Sequence, residues 1–447
     1  SFTGDVSLTG KLKEAIINDS LKIDNEILEI FKKSDFNIVN LEGPSTNKEV
    51  VFDKHVQVKN PLASIEYLKN KGVNIFNLAN NHTFDADIGG FIECKSEIKK
   101  NKCQYFGAGE NIDEASKVLF IENKNIKIGL VGVGSPGGKK NASNNNCGVF
   151  SDMNMSLIEK QIKYSSDNSD WTIINFHNGT EFNFYPVKYI QNKLKQFIDF
   201  GANIIIGHHP HVPQGIQNYK KGAIFYSLGN FLFDLDSHKN KKNTDLSLLT
   251  TLSFEKNNYS YTYVLTRYTT NDLSIKIIKD KKILTWYKKI NERTKSKNIN
   301  TYAFFDLVRS IYFNPIFYKK KWANYLIFLT FFLRPIAFTT GNQREILRDF
   351  LDYLKLDNTD FLRKDEINYI RDMYETNKND LFLENQITST VEKLKIKKNL
   401  YKNIVQYNYI LQAVIHILLD DKESGSMNRK KLDLFRIFDN FIVNDTF

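Results

Sequence analysis

The first 290 or so residues alternate short apolar runs with polar loops and helix-spaced segments. Residues 36–41 are largely apolar and run straight into Glu42. Residues 64–71 keep helical spacing and stop at Gly72, a common helix terminator. The strand-like run 73–79 leads into Asn80-Asn81-His82, and the buried-strand pattern of 127–133 ends at Gly134-Ser135-Pro136-Gly137-Gly138. Residues 171–176 read as a strand followed by His177, 191–200 as a helix closed by Gly201, and 203–206 as a strand followed by Gly207-His208-His209. A further strand is expected at 223–227. Apolar strand, polar or His-bearing loop, then helix is the rhythm of an α/β fold. Ligands in such folds sit beyond the strand ends, which is where the histidines fall. The runs 248–254, 259–265 and 273–278 are β-rich with few helical signals and predict antiparallel strands.

The character changes after about residue 295. The polar stretch 291–300 reads as a linker between a domain at 1–290 and an all-helical domain at 301–447. In the latter, Ile387, Val391, Leu394, Tyr401, Ile404, Leu411, Ile415 and Leu418 mark one face of a long helix. It carries no internal repeat and no Cys/His cluster, so a packing or partner-binding role is expected. The longest apolar run, 325–333, is too short for a bilayer span, which takes roughly 20 residues. Lys319-Lys320-Lys321-Trp322 precede it, which would suit an in-plane membrane contact, but a buried helix is the preferred reading.

At 447 residues the chain exceeds one ordinary core, and 41% hydrophobic with 13% aromatic content excludes disorder as a global description. The net charge of +11 suits an anionic partner: a polyanionic polymer, a phosphorylated substrate, membrane headgroups or nucleic acid. An unselective Lys-rich surface accounts for it as well. No basic stretch is interleaved with stacking aromatics, which puts nucleic acid behind the others. Cys94, Cys103 and Cys147 form no C-x-x-C pair and are expected as free thiols. No signal-peptide pattern is visible at Ser1-Phe2-Thr3-Gly4-Asp5, so a cytoplasmic or peripheral-membrane location is expected unless an anchor was removed.

The chemistry concentrates in a few places. Five of the eight histidines lie in Asn80-Asn81-His82, His177-Asn178-Gly179-Thr180-Glu181 and Gly207-His208-His209-Pro210-His211. Imidazole and carboxylate are the usual ligands of Zn, Mn and Fe. On an extended stretch His209 and His211 would face the same side, stiffened by Pro210, while His208 would point away. Glu181 follows His177 by four residues, with Gly179 permitting a tight turn between them. Asn81-His82 offers an amide oxygen and an imidazole, although Asn-Asn-His alone is also turn chemistry. Asp5 and Glu42 supply two carboxylates at strand ends, and a carboxylate can bridge two cations.

In this order the residues resemble the CapA family of capsule and poly-γ-glutamate biosynthesis proteins, within the calcineurin-like metallophosphatase superfamily. The resemblance covers roughly residues 1–235. It is densest from His177-Asn178-Gly179-Thr180-Glu181 through Gly207-His208-His209-Pro210-His211-Val212 to Tyr226-Ser227-Leu228-Gly229-Asn230-Phe231. It implies a four-layer α/β/β/α sandwich holding one or two divalent ions (Mn, Fe or Zn) at strand ends. Residue by residue, it implies Asp5 and Glu42 as carboxylate ligands, Glu42 bridging where more distant phosphatases use Asp. Asn81 would be the amide ligand, and His177, His209 and His211 the imidazole ligands. His82 would protonate a leaving group, oriented by Asp85, with Glu181 a further catalytic candidate. Two positions depart from the pattern. Ser7 stands where many metallophosphatases carry the His of Asp-x-His, and Asn178 where the family usually has an aromatic.

The resulting expectation is a metal-dependent hydrolase that cleaves an amide or phosphoester in an anionic substrate, and the resemblance ties it to capsule or poly-γ-glutamate metabolism. Against it stand a metal-stabilised, non-catalytic accessory in envelope-polymer assembly, docking partners through the helical half, and a nucleic-acid phosphodiesterase. Lys139, Lys140, Lys220, Lys221, Lys239, Lys241 and Lys242 fall on expected loops. If they ring the mouth they would concentrate an anionic substrate, and Lys220 and Lys221 are taken as substrate-binding candidates.

Overall fold

The computed structural model describes residues 1–50, 57–136, 140–239, 241–296 and a few positions between 299 and 306. The helical segment expected beyond these, with its apolar run at 325–333, lies outside the described residues. The chain divides into two compact units, Ser1–Ile299 and Asn300–Phe447, and every helix and strand named below belongs to the first.

That unit is a mixed α/β fold built on two large sheets. Phe2–Ser7 is the hub of a nine-stranded sheet. On one side it runs parallel to Ile38–Leu41, and the parallel order continues through Ile75–Asn77 to Gln104–Phe106. On the other side it pairs in parallel with Asn230–Phe233 and antiparallel with Leu246–Phe254. Leu246–Phe254, Tyr259–Thr269 and Ser274–Ile277 form the antiparallel meander expected from the β-rich runs. In the second, six-stranded sheet, Ile126–Gly134, Trp171–His177, Ile204–His208 and Gly222–Phe225 are parallel neighbours. Hairpin partners Leu119–Asn123 and Ile216–Tyr219 close its two edges.

The central strands are legible as apolar runs because both faces are covered. Every residue of Trp171–His177 is buried, as parallel strands between layers require. Helices Met155–Asn168 and Lys188–Asp199 pack against the second sheet, and Asn25–Lys33 and Asp87–Lys100 against the first. Phe176 meets Phe197 of the Lys188–Asp199 helix edge-on, with ring centroids 5.8 Å apart. Where the two sheets approach, there is no room for a side chain. A Cβ on Gly132 would lie 2.5 Å from Asn77 Oδ1, and one on Gly134 only 2.1 Å from the Ala79 carbonyl oxygen.

One boundary differs from the expectation. The polar stretch taken for a linker at 291–300 begins as the end of a helix, Lys281–Thr294. Trp286, Tyr287, Ile290 and Thr294 form its buried face, while Lys and Glu on the solvent side hide the pattern from a composition reading. Tyr287 donates to the Gln214 carbonyl (3.1 Å) and Asn291 Oδ1 accepts from the Ile216 amide (2.8 Å). The helix is therefore part of the first unit, which runs past residue 290 to Ile299. Cys94, Cys103 and Cys147 are free thiols, as expected. No helix among the described residues is long and apolar enough to cross a membrane.

Candidate metal centre

Parallel strands share a direction, so their carboxyl ends gather at one edge of each sheet. Asp5 lies in Phe2–Ser7, Glu42 follows Ile38–Leu41 directly, and Asn81 and His82 follow Ile75–Asn77. From the second sheet come His177 and His208, which are paired residues at adjacent strand ends. All the expected ligands converge. Asp5, Glu42 and His177 present ligand atoms within 4.8 Å of one another, and Glu181, His209 and His211 form a second such group. Asn81 Oδ1 lies 2.8 Å from His177 Nε2. Glu42 Oε1 is 3.7 Å from His82 Nε2 and equally far from His211 Nε2. Glu181, expected in a catalytic role, is thus placed among candidate ligands. Opposite this cluster, His82 Nδ1 sits 2.7 Å from Asp85 Oδ2, which also accepts from the Val58 amide (2.9 Å).

The Gly207–His211 turn differs from the extended stretch expected. His209 and His211 adopt φ of 93° and 56°, left-handed values that non-glycine residues avoid. Such conformations cost on the order of 1–3 kcal/mol each and persist only where the surroundings impose them. The turn brings both rings to the cluster, with centroids 5.8 Å apart. His208 does not point away: its Nδ1 lies 3.0 Å from Asp5 Oδ1. Alternation fails here because the strand ends at His208 and the chain then twists.

Four residues outside the expected ligand set hold the cluster in place. Asn40 donates through Nδ2 to Asp5 Oδ1 (2.9 Å) and lies 3.2 Å from His177 Nδ1, while its own Oδ1 accepts from Asn77 Nδ2 (2.9 Å). Asn230 Oδ1 lies 2.9 Å from His211 Nδ1 and leaves Nε2 facing Glu42. His238 packs its ring 4.4 Å from that of His211, and His208 is the fourth. The available signal was a polar side chain inside an apolar strand, as at Asn40 and Asn77, and a further histidine just beyond Asn230–Phe233.

Electrostatics favour the forms that bind cations. Burial alone would raise the Asp5 carboxyl, but contacts with His208, the charge of His211 and the His209 amide hold it below the ordinary range. Burial, reinforced by neighbouring histidines, keeps His177 and His211 far below the usual imidazole value. Burial lowers His209 as well, against the pull of Glu181 and Asp5. Buried carboxylates together with neutral imidazoles are the donor set of a divalent transition metal. His209 Nδ1 is buried with no hydrogen-bond partner among the described residues, as an atom reserved for a metal would be. These residues fit the implied ion.

The two departures also find their places. Ser7 is fully buried and its hydroxyl has no hydrogen-bond partner among the described residues. Asn178 turns its amide to Asp152 Oδ2 (2.9 Å). The lysines expected at the mouth do not all reach it. Lys220 and Lys221 form the turn that precedes Gly222–Phe225, whose start aligns with Ile204, not with the His208 end. Lys220 pairs with Asp199 (2.5 Å) at that far edge. They are remote from the cluster, because a hairpin turn before a parallel strand lies at the strand's amino end. Lys241, in contrast, lies over the Phe182 ring (5.2 Å), which itself adjoins His211 (6.2 Å).

Curated relatives share this half of the chain. It is 30% identical over 249 residues to the capsule biosynthesis protein CapA of Bacillus anthracis, covering 52% of this chain and 59% of that one. It is 29% identical over 239 residues to the PGA biosynthesis protein CapA of Bacillus subtilis strain 168, covering 52% and 63%. The chain therefore spans about three fifths of the length of these relatives. A phosphatase structure from Mycoplasma pneumoniae aligns over 51% of this chain and 70% of its own at 20% identity, with a TM-score of 0.33. The model of the bacterial capsule synthesis protein PGA_cap matches residues 1–235, more than half of the 447. The chain belongs to the PGA_cap family of bacterial capsule synthesis proteins.

Proposed function

We propose that this protein is a metal-dependent hydrolase of the metallophosphatase type, acting on an amide or phosphoester in an anionic substrate of capsule or poly-γ-glutamate metabolism. The observation that carries the reading is the convergence of Asp5, Glu42 and His177 with Glu181, His209 and His211, two groups of ligand atoms at the strand ends of facing sheets. The four-layer α/β/β/α arrangement belongs to the same reading, as does the choice of one or two Mn, Fe or Zn ions. A cation held there would supply Lewis acidity, activating water and offsetting negative charge on the reacting group.

The chain's own groups divide the remaining work. Asp5, Glu42 and Glu181 provide anionic donors, and His177, His209, His211 and the Asn81 oxygen provide neutral ones. Asn40 and Asn230 orient Asp5 and His211 by hydrogen bonding. His82, with Nδ1 against Asp85, keeps Nε2 directed into the cluster and can hand a proton to a departing oxygen or nitrogen. Lys241 above Phe182 adds positive charge beside the site.

A second reading has its own support. The buried Ser7 hydroxyl stands where a histidine ligand would complete a fuller site, which suits a metal-stabilised accessory protein that assembles envelope polymer without cleaving it. Partners would then dock elsewhere, including on the C-terminal segment. One experiment separates the two. Purified protein loaded with Mn²⁺ is incubated with poly-γ-glutamate and, separately, with p-nitrophenyl phosphate, with and without EDTA. Hydrolysis that EDTA abolishes and that His82→Ala reduces at unchanged metal content supports the hydrolase. No turnover of either substrate by metal-loaded protein, with polymer assembly intact in His82→Ala, supports the accessory.

A further inference from the structure

Behind the candidate ligands lies a buried ion pair that the proposed chemistry does not use. Lys193, on the helix Lys188–Asp199, and Asp152, in the turn after Gly148–Val149, are 5% and 3% exposed. Lys193 Nζ lies 2.5 Å from Asp152 Oδ2 and also donates to the Asp152 carbonyl (3.1 Å). Burial opposes the Lys193 charge, but Asp152 and Tyr189 outweigh it and raise the ammonium above its ordinary value.

The pair is wired to the His177 loop. Asp152 Oδ2, already held by Lys193, accepts a second hydrogen bond from Asn178 Nδ2 (2.9 Å). Asn178 Oδ1 in turn accepts from the Gly179 amide (2.7 Å), fixing the turn that leads to Glu181. From the other side, the Asp152 amide donates to the Gly134 carbonyl (3.1 Å) and the Ser135 amide to the His177 carbonyl (2.9 Å). Three elements thus meet at one residue, Asp152: its side chain joins the end of Trp171–His177 to the middle of Lys188–Asp199, and its amide holds the end of Ile126–Gly134. The segment held between them carries a candidate ligand from each group, His177 and Glu181.

We infer that Asn178, clamped by the Asp152–Lys193 pair, is a positioning residue that sets the His177–Glu181 loop for metal binding. The inference rests on the metal-centre reading above. Asn178 is only half-buried, so its truncation leaves the core and the ion pair intact, whereas loss of either charge would strand the other in the interior.

The test compares wild type, Asn178→Ala, Asn178→Gln and Lys193→Met. Mn²⁺ dissociation constants are measured by titration calorimetry, and unfolding temperatures are recorded in EDTA. Asn178→Ala is expected to unfold in EDTA within a few degrees of wild type yet to bind Mn²⁺ about 10-fold or more weakly, the range seen when outer hydrogen bonds to ligands are removed. Asn178→Gln, which keeps the amide on a longer stem, should recover part of the affinity. Lys193→Met should lose both affinity and metal-free stability. Unchanged Mn²⁺ affinity in Asn178→Ala, with normal uptake by wild type, would overturn the positioning role alone. No uptake by wild type would overturn the metal reading and this inference with it.

Discussion

His238 offers a quantitative check on how dry the cluster is. Its ring stacks on Phe233 (centroids 5.0 Å, interplanar 6°), meets Phe182 edge-on and touches His211. Burial, with the charges of His82, Lys241 and His209, lowers its pKa from 6.5 to about 3. The folded state therefore resists a proton that the unfolded chain accepts. Above pH 6.5 both states hold a neutral ring and the shift has no effect on stability. As pH falls from 6.5 towards 3 the unfolded state gains progressively. At pH 5 the difference in protonation favours unfolding by about 2 kcal/mol, a factor near 30 in the equilibrium. Urea denaturation of wild type and His238→Gln in EDTA, at pH 7.5 and pH 5, isolates this contribution. The variant is less stable at pH 7.5, having lost ring packing, but its loss between the two pH values should be smaller than that of wild type by roughly 2 kcal/mol. Equal losses would mean that His238 titrates alike in both states, and the picture of a dry histidine layer behind His211 would be wrong.

Substitutions of three other side chains have distinct expected outcomes. Asp85→Asn removes the carboxylate that holds His82 Nδ1, so hydrolysis should fall by about 10- to 100-fold while metal content stays at the wild-type value, checked by steady-state kinetics beside elemental analysis. Asn230→Ala takes away the acceptor of His211 Nδ1 and a donor to the Thr244 carbonyl. It should weaken metal binding about 10-fold and lower stability by about 1–3 kcal/mol, measured by competition with a chelating dye and by urea denaturation. Lys220→Gln breaks an exposed pair with Asp199 and a contact over the Tyr219 ring at the far edge of the sheet, and turnover should stay within about twofold of wild type across a salt titration.

Much of this architecture was legible in the sequence, for identifiable reasons. Trp171–His177 and Ile204–His208 are buried on both faces, so they had to be written as apolar runs, and the ligands at their ends stand out against that background. His82 with Asp85, three residues apart, is a local pair that a short turn brings together. What stayed hidden depends on contacts between distant segments. Asn40 reaches Asp5 across 35 positions and His177 across 137, and nothing near Asn40 in sequence announces either. The direction of His208 is not legible by alternation, which holds only while the strand continues, and the left-handed His209 ends it. Lys220 and Lys221 fall on a loop, but loop membership says nothing about which end of a sheet the loop occupies. The helix Lys281–Thr294 does not stand out in the sequence because its solvent face is charged and its buried face is spread over Trp286, Tyr287, Ile290 and Thr294.

The central claim is that the strand-end cluster is a metal centre. Elemental analysis of purified wild-type protein beside a His209→Ala, His211→Ala double variant tests it most directly. A metal centre predicts about one or two equivalents of Mn, Fe or Zn in wild type and their loss in a variant that still folds, judged by circular dichroism. A wild type that takes up no metal after reconstitution with each of these ions, or a double variant that retains full occupancy, would contradict it.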